Sequence, residues 1–311
     1  MEQLGIVGGG LIGRAWSIVF ARAGHAVTAF DPDPATRERF MDSLGQDCDI
    51  LVRHGLLGDV EAVTGRVRVV ESVEAAVEGA SFVQENGPEQ VEVKRSLFET
   101  MDRVAPASAL LASSTSAIVC SKFTESLEGR SRCLVGHPVN PPHLVPIVEI
   151  CSAPWTGRPE LEKAWSIYEG VGQTPVMVER EVEGFVLNRL QGALLAEAFR
   201  LVADGVVSPE DLDATLTDGL ARRWSFIGPF ATIELNAPGG IRDYCERYTG
   251  FYKRLAQDPP GAQVFEPAVT GKLLDAWPHE ASPERLSRRM EWRNERLAAL
   301  AAHLGIQPDD P

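Results

Sequence analysis

Cysteine is scarce in this sequence. The five present (Cys48, Cys120, Cys133, Cys151, Cys245) are odd in number and never spaced as C-x-x-C, which excludes a disulfide framework and a zinc knuckle. They read as reduced thiols, mainly buried. Basic side chains are also in short supply: 30 Lys and Arg stand against 44 Asp and Glu, a net charge of −14 that argues against nucleic acid or an anionic membrane as partner. A locally basic pocket for an anionic small ligand stays open. No apolar run approaches the ~20 residues that span a bilayer. The start lacks the basic stretch, apolar middle and small-residue cleavage site of a secretory signal, so a cytoplasmic location is expected. There is no internal repeat, and the only low-complexity stretch is the terminal QPDDP. A G-x-S-x-G elbow is missing too, which removes a Ser-His-acid hydrolase of that kind.

What is present is the balance of a globular protein, 44% hydrophobic and 24% charged, in 311 residues that suffice for about two domains. Short apolar runs (LGIVG, AVTAF, RVRVV, SFVQ, ALLAS, CLVGH) alternate with helical patterns, and VPIVEI and TPVMV bracket a further helix near Arg158 to Gly170. Strands alternating with helices imply a parallel sheet covered on both faces. After VEREVEG the pattern changes: Leu187, Leu190, Leu194, Ala198 and Val202 form the stripe of one long helix, and helical patterns with Pro and Gly breaks follow. The expectation is an α/β protein, a Rossmann-type doubly wound domain over 1–181 followed by an all-helical domain over 182–311.

GIVGGGLIGRAW holds Gly8, Gly10 and Gly13 at G-x-G-x-x-G spacing, after a strand and opening a helix. There the first glycine makes the tight turn, the second lets backbone approach a pyrophosphate, and the third lets helix pack on strand. The helix amides and dipole receive the negative charge. The second strand ends at Asp31, where a carboxylate can bind the ribose diol and repel a 2′-phosphate, so NAD is favoured over NADP. A flavin is the rival ligand.

SSTSA places Ser113 to Ser116 at the carboxyl end of a strand, where open α/β sheets bind ligands, although taken singly such serines are better explained by helix capping of the segment after Ala117. His137 ends the next strand at the same edge. The proline-rich NPPH segment must reverse direction before VPIVEI, which could return Glu149 to His137. A carboxylate on one imidazole nitrogen fixes the tautomer and leaves the other nitrogen to take a proton, as oxidation of an alcohol beside a nicotinamide requires. His137 and His143, six apart without a clustered acid or cysteine, do not make a metal site, and no metal is expected. Asn188, one turn into the long helix, could hydrogen-bond a substrate oxygen, or simply flank the apolar stripe.

These residues together resemble the 3-hydroxyacyl-CoA dehydrogenase superfamily. GGGLIGRAW, PEQVEVKRSLF, GHPVNPPHLVPIVEI, EGFVLNRLQ, VSPEDLD, DGLARRWSFIGPF, LNAPGG and EWRNERL carry the likeness in order along nearly the whole chain. It implies His137 as general base, Glu149 orienting it, and Ser116 and Asn188 holding the reacting oxygen. It also implies NAD contacts from Leu11, Ile12, Asp31, Glu89 and Lys94, although the EVEVK run by itself reads as a solvated helix face. Pro138 and Val139 after the histidine, and Ser114 where acyl-CoA enzymes tend to have asparagine, resemble a branch acting on a short hydroxy acid, L-gulonate foremost. Arg223 matches an arginine of that branch that could clamp a carboxylate, with Arg222 beside it as the alternative. A 3-hydroxyacyl-CoA or L-carnitine dehydrogenase, or an NAD-binding structural protein, are the other readings. The resemblance also implies a homodimer through the helical domain, whose apolar surface exceeds what one thin layer of helices hides.

Overall fold

The structure, a computed structural model, describes residues 2–277, 279 and 282–305. Among the described residues there are eight strands: β1 Gln3–Val7, β2 Ala26–Phe30, β3 Val67–Val70, β4 Phe82–Glu85, β5 Leu110–Ser113, β6 Cys133–Pro138, β7 Ile147–Ser152 and β8 Thr174–Val178. The helices of this part are α1 Leu11–Arg22, α2 Pro34–Arg53, α3 Glu61–Thr64, α4 Val73–Val77, α5 Val91–Val104, α6 Ser121–Thr124 and α7 Arg158–Gly170. Local chemistry sets several of their ends. Asp33 caps α2, its carboxylate accepting from the amides of Ala35 (3.1 Å) and Thr36 (3.2 Å), and Pro34 supplies a first residue already bent to helical φ.

The strands form one sheet in the order β3-β2-β1-β4-β5-β6-β7-β8. The chain steps outward from β1 to β3 and then returns to the other side of β1 as β4, so the crevice at the carboxyl ends of β1 and β4 is the switch point where such sheets bind ligands. The doubly wound α/β expectation is borne out, with one refinement: β6 and β7 run antiparallel. Residues 139–146 between them are fewer than the dozen or so a parallel crossover needs, so the chain must fold straight back.

Side chains on the two sheet faces build two cores. Leu4, Ile6, Phe82, Leu134, Val148 and Ile150 pack with Trp16 and Phe20 of α1 and Tyr168 of α7. Val7, Val83, Leu111, Val135 and Cys151 pack with Phe98 and Met101 of α5, with Phe123, and with Phe185. Of the five free thiols, Cys48, Cys120, Cys133 and Cys151 are buried and Cys245 is exposed.

Of the described residues, 2–188 and 284–305 form one compact unit, and 189–283 another. A division at 181/182 puts the C-terminal helix with the helical part. Its packing differs, because Leu297 and Ala298 of that helix join the Trp16 core and Glu295 pairs with Arg53 and His54. Among the described residues the second unit has helices and no strand: most of α8 Leu187–Ala203, then α9 Pro209–Ala214, α10 Ala221–Trp224, α11 Pro229–Glu234, α12 Gly240–Leu255 and α13 Pro267–Ala276, while nearly all of α14 Pro283–Leu304 belongs to the first unit. Among the described residues no helix is long and apolar enough to cross a membrane.

His143, in the turn between β6 and β7, is 4% exposed, and neither ring nitrogen has a hydrogen-bond partner among the described residues. Burial, and then the charges of Arg22, Arg14 and Arg293, hold its imidazole down to about 3. The folded form therefore keeps His143 neutral while the unfolded chain protonates it below about 6.5, so stability is present above that pH and is lost as pH falls toward 3. Denaturant unfolding at pH 7 and pH 5 is expected to show a loss near 2 kcal/mol from this group, absent in His143→Asn. An equal loss in both proteins removes His143 as its source.

Candidate active site

The glycine turn lies at the switch point. Gly8 has φ +97°, and a Cβ there would stand 2.7 Å from the Asn86 carbonyl oxygen. One on Gly13 would collide with the Gly8 carbonyl, whereas above Gly10 the space is open. The strand, turn and helix are thus fitted to each other with bare backbone facing outward, the cradle a pyrophosphate needs. Asp31 Oδ2 accepts the Gly9 amide at 2.7 Å and Oδ1 the Asp33 amide at 2.9 Å, which fixes the carboxylate beside that cradle with lone pairs left for a ribose diol. Leu11 is 55% exposed at the mouth and Ile12 packs against the core. These residues fit NAD.

Glu89 and Lys94 follow β4. Glu89 Oε1 accepts the Thr115 hydroxyl at 2.5 Å and the amides of Ser116 (3.1 Å) and Ala117 (2.9 Å), so it holds the serine loop in place. Burial alone raises its carboxyl, but the Thr115 hydroxyl, the Ala117 amide and Lys94 leave it below the usual range. Thr115 Oγ1 accepts the Ile118 amide at 2.9 Å and closes the bend after β5, whereas α6 starts only at Ser121 and has no side-chain cap, so none of these residues caps a helix. Lys94 is 1% exposed, its ammonium 3.1 and 3.0 Å from the two oxygens of Glu85 and 3.9 Å from Glu89 Oε2.

His137 and Glu149 face each other directly in the antiparallel pair β6–β7. Opposed residues of such a ladder point to the same face a few ångströms apart, so register alone brings the side chains together. The imidazole Nδ1 lies 2.8 Å from Glu149 Oε2, and the two residues are 5% and 2% exposed. The other oxygen of Glu149 accepts the amides of Val186 (2.8 Å) and Leu187 (2.9 Å) at the start of α8. Burial works to raise this carboxyl, but the His137 bond and the two amides outweigh it and keep it below the ordinary carboxylate range. An ionised carboxylate can only accept, so Nδ1 donates to it and Nε2 is the nitrogen left to exchange a proton with a substrate.

Asn188 Nδ2 donates to the Ser116 carbonyl at 2.7 Å. The structure thus brings His137 to Glu149 and Asn188 to Ser116, with Leu187 bonded to Glu149 between the two pairs. Arg223 is exposed on α10, in the second unit.

Sequence reasoning passed over a buried polar network beneath the site. Gln84 Nε2 donates to Ser114 Oγ (2.7 Å) and to the Gly136 carbonyl (3.1 Å), and its Oε1 accepts the Tyr168 hydroxyl (2.6 Å). Ser114 Oγ also accepts Trp16 Nε1 (3.1 Å) and donates to Asn86 Oδ1 (2.7 Å). Ser114 is therefore a hub joining the base-bearing strand to the end of β4. A glutamine in the middle of an apolar strand was the available signal, since such a residue is buried only with partners.

A dinucleotide cradle at the switch point, beside a histidine freed on one nitrogen by a buried carboxylate, defines a nicotinamide-dependent dehydrogenase. The family model of the 3-hydroxyacyl-CoA dehydrogenase NAD binding domain matches residues 3–182, and that of its C-terminal domain residues 184–272. The chain belongs to the 3-hydroxyacyl-CoA dehydrogenase family. Its cofactor is NAD and its reaction the NAD-dependent oxidation of a hydroxyl. A lambda-crystallin homolog of Bos taurus is 41% identical over 303 residues, 95% of this chain and 94% of that one. An L-carnitine dehydrogenase of Streptomyces coelicolor is 34% identical over 276 residues, 87% of this chain and 86% of that one. Among solved structures, an NAD+ dependent dismutase, 5-formyl-3-hydroxy-2-methylpyridine 4-carboxylic acid 5-dehydrogenase, is similar at a TM-score of 0.85 and 28% identity, covering 99% of this chain and 100% of that one.

Proposed function

We propose that the chain is a cytoplasmic dehydrogenase oxidising the 3-hydroxyl of a short hydroxy acid, L-gulonate to 3-dehydro-L-gulonate foremost. The observation that carries the reading is the 2.8 Å contact of His137 Nδ1 with a Glu149 carboxylate held on its far side by two amides. NAD in the Gly8–Gly13 cradle supplies the hydride acceptor. His137 Nε2 takes the hydroxyl proton, and Glu149 stabilises the imidazolium that forms. Ser116 and Asn188 hold the reacting oxygen, and Arg223 clamps the substrate carboxylate in a two-point contact. Glu89 and Lys94 complete the cofactor site, Glu89 by direct contact.

The resemblance of Pro138, Val139 and Ser114 to the short-acid branch supports that branch over acyl-CoA. The similarity to lambda-crystallin homologs supports it also, and L-carnitine is the second substrate to examine because an L-carnitine dehydrogenase is among the relatives. The helical unit, within the 182–311 region, serves as the substrate and dimerisation part in this reading. Phe226 (69% exposed), Phe230 (74%) and Leu274 (71%) present apolar surface that a second copy would cover.

The test is NADH formation, followed by absorbance, over a panel of L-gulonate, L-carnitine, other 3-hydroxy acids and 3-hydroxybutyryl-CoA. The highest kcat/KM is expected for L-gulonate. Turnover of the acyl-CoA with none of the free acids would overturn the substrate assignment.

A further inference from the structure

Gly184 and Phe185, between β8 and α8, both adopt left-handed backbone, with φ +76° and +50°. For glycine this is free, but for a bulky residue it is strained, and such strain persists only where surrounding structure imposes it. Phe185 is fully buried, and its ring centroid lies 5.5 Å from that of His137 at an interplanar angle of 42°. Directly after this turn the amides of Val186 and Leu187 point at Glu149 Oε1. Backbone amides donate and never accept, so they require an acceptor oxygen on that side and leave Oε2 for Nδ1. One residue further, Asn188 reaches the Ser116 carbonyl. Four residues expected to act in the reaction (His137, Glu149, Ser116 and Asn188) are thus tied to one turn and the three residues that follow it.

We propose that the Gly184–Phe185 turn is the positioning element of this active site. By aiming two amides at Glu149 it locks the carboxylate and the His137 tautomer, and Phe185 is a positioning residue that walls the imidazole and pins the turn. The inference deepens the reading above and rests on His137 acting as the base.

Leu187 is the first residue of α8, a place where proline keeps helical φ and loses only its N–H. Leu187→Pro therefore deletes one Glu149 donor, and Leu187→Ala keeps it. Relative to Leu187→Ala, the proline variant is expected to lose roughly 10- to 100-fold in kcat with an unchanged KM for NAD, the penalty of a slightly misplaced catalytic group. Phe185→Leu, which retains a buried apolar side chain, is expected to lose kcat in the same sense. Thermal melting identifies variants that fold, and 15N NMR of the imidazole reads the tautomer independently of any substrate. Wild type is expected to show Nδ1–H alone, and Leu187→Pro a mixture with Nε2–H. Equal kcat and the same single tautomer in the proline and alanine variants would overturn the inference. If wild type oxidises no hydroxy acid but the tautomer still shifts, the reading of the reaction falls and the positioning role stands.

Discussion

Replacing His137 with alanine is expected to lower kcat by about 10²- to 10⁴-fold, the range a positioned general base supplies, while leaving the dissociation constant for NAD within about twofold. The separation follows from place. The cofactor cradle is built from β1, α1 and Asp31 at the switch point, whereas His137 belongs to β6 and is fixed by β7 and the start of α8. Glu149→Gln is expected to cost nearly as much, for a reason particular to this site. The Val186 and Leu187 amides must keep an acceptor, so the glutamine turns its carbonyl to them and its NH2 to Nδ1. That drives the imidazole proton to Nε2, where the base should be free, and a wrong tautomer of this kind costs on the order of 10⁴ in a serine-protease triad. Steady-state NADH formation and cofactor binding by calorimetry measure both quantities. A His137→Ala enzyme with wild-type kcat would remove the residue from the chemistry.

The same pair shows how far the sequence carries. Two strands joined by a proline-rich segment too short for a crossover had to run antiparallel, which returns the VEI run past GHP, while the register that sets His137 opposite Glu149 is seen only in the structure. The strands, the glycine turn and Asp31 were legible for a related reason, because each rests on local spacing that backbone geometry translates directly. Contacts that depend on backbone amides were not. Nothing in the letters of GFVLN says that residues 186 and 187 donate to an acid 37 and 38 positions earlier. Assignment of the C-terminal helix to one compact unit was likewise hidden, since an amphipathic stripe shows that a face is buried without showing against what.

Lys94 was the clearest misreading available. EVEVK invites the reading of a solvated face, yet Lys94, Phe98 and Met101 stand at i, i+4 and i+7 of α5 and are its buried residues. Lys94→Met is therefore expected to destabilise the protein by roughly 3–5 kcal/mol, the cost of leaving one partner of a buried ion pair uncompensated. Glu85 would remain fully buried with only the Ser113 hydroxyl (2.5 Å) and the Gly87 amide (2.6 Å) as donors. Burial already pushes the Glu85 carboxyl upward, opposed by the Lys94 ammonium, so without that ammonium it would take up a proton at a higher pH. The stability gap to wild type is thus expected to narrow as pH falls, because a neutral carboxyl is cheaper to bury than a charged one. A Glu85→Gln/Lys94→Met double variant is expected to recover most of the loss, since the amide can still accept from Gly87 and can donate to Ser113 Oγ. Function should follow stability only in part. Glu85 fixes Gly87, two residues before the Glu89 side chain that holds Ser116 and Ala117, so the single variant should also bind NAD more weakly. Urea unfolding of the two singles and the double at pH 8 and pH 6 gives the coupling energy directly. A Lys94→Met protein within about 1 kcal/mol of wild type at both pH values would mean that water reaches Glu85 and that the pair is not the anchor its burial indicates.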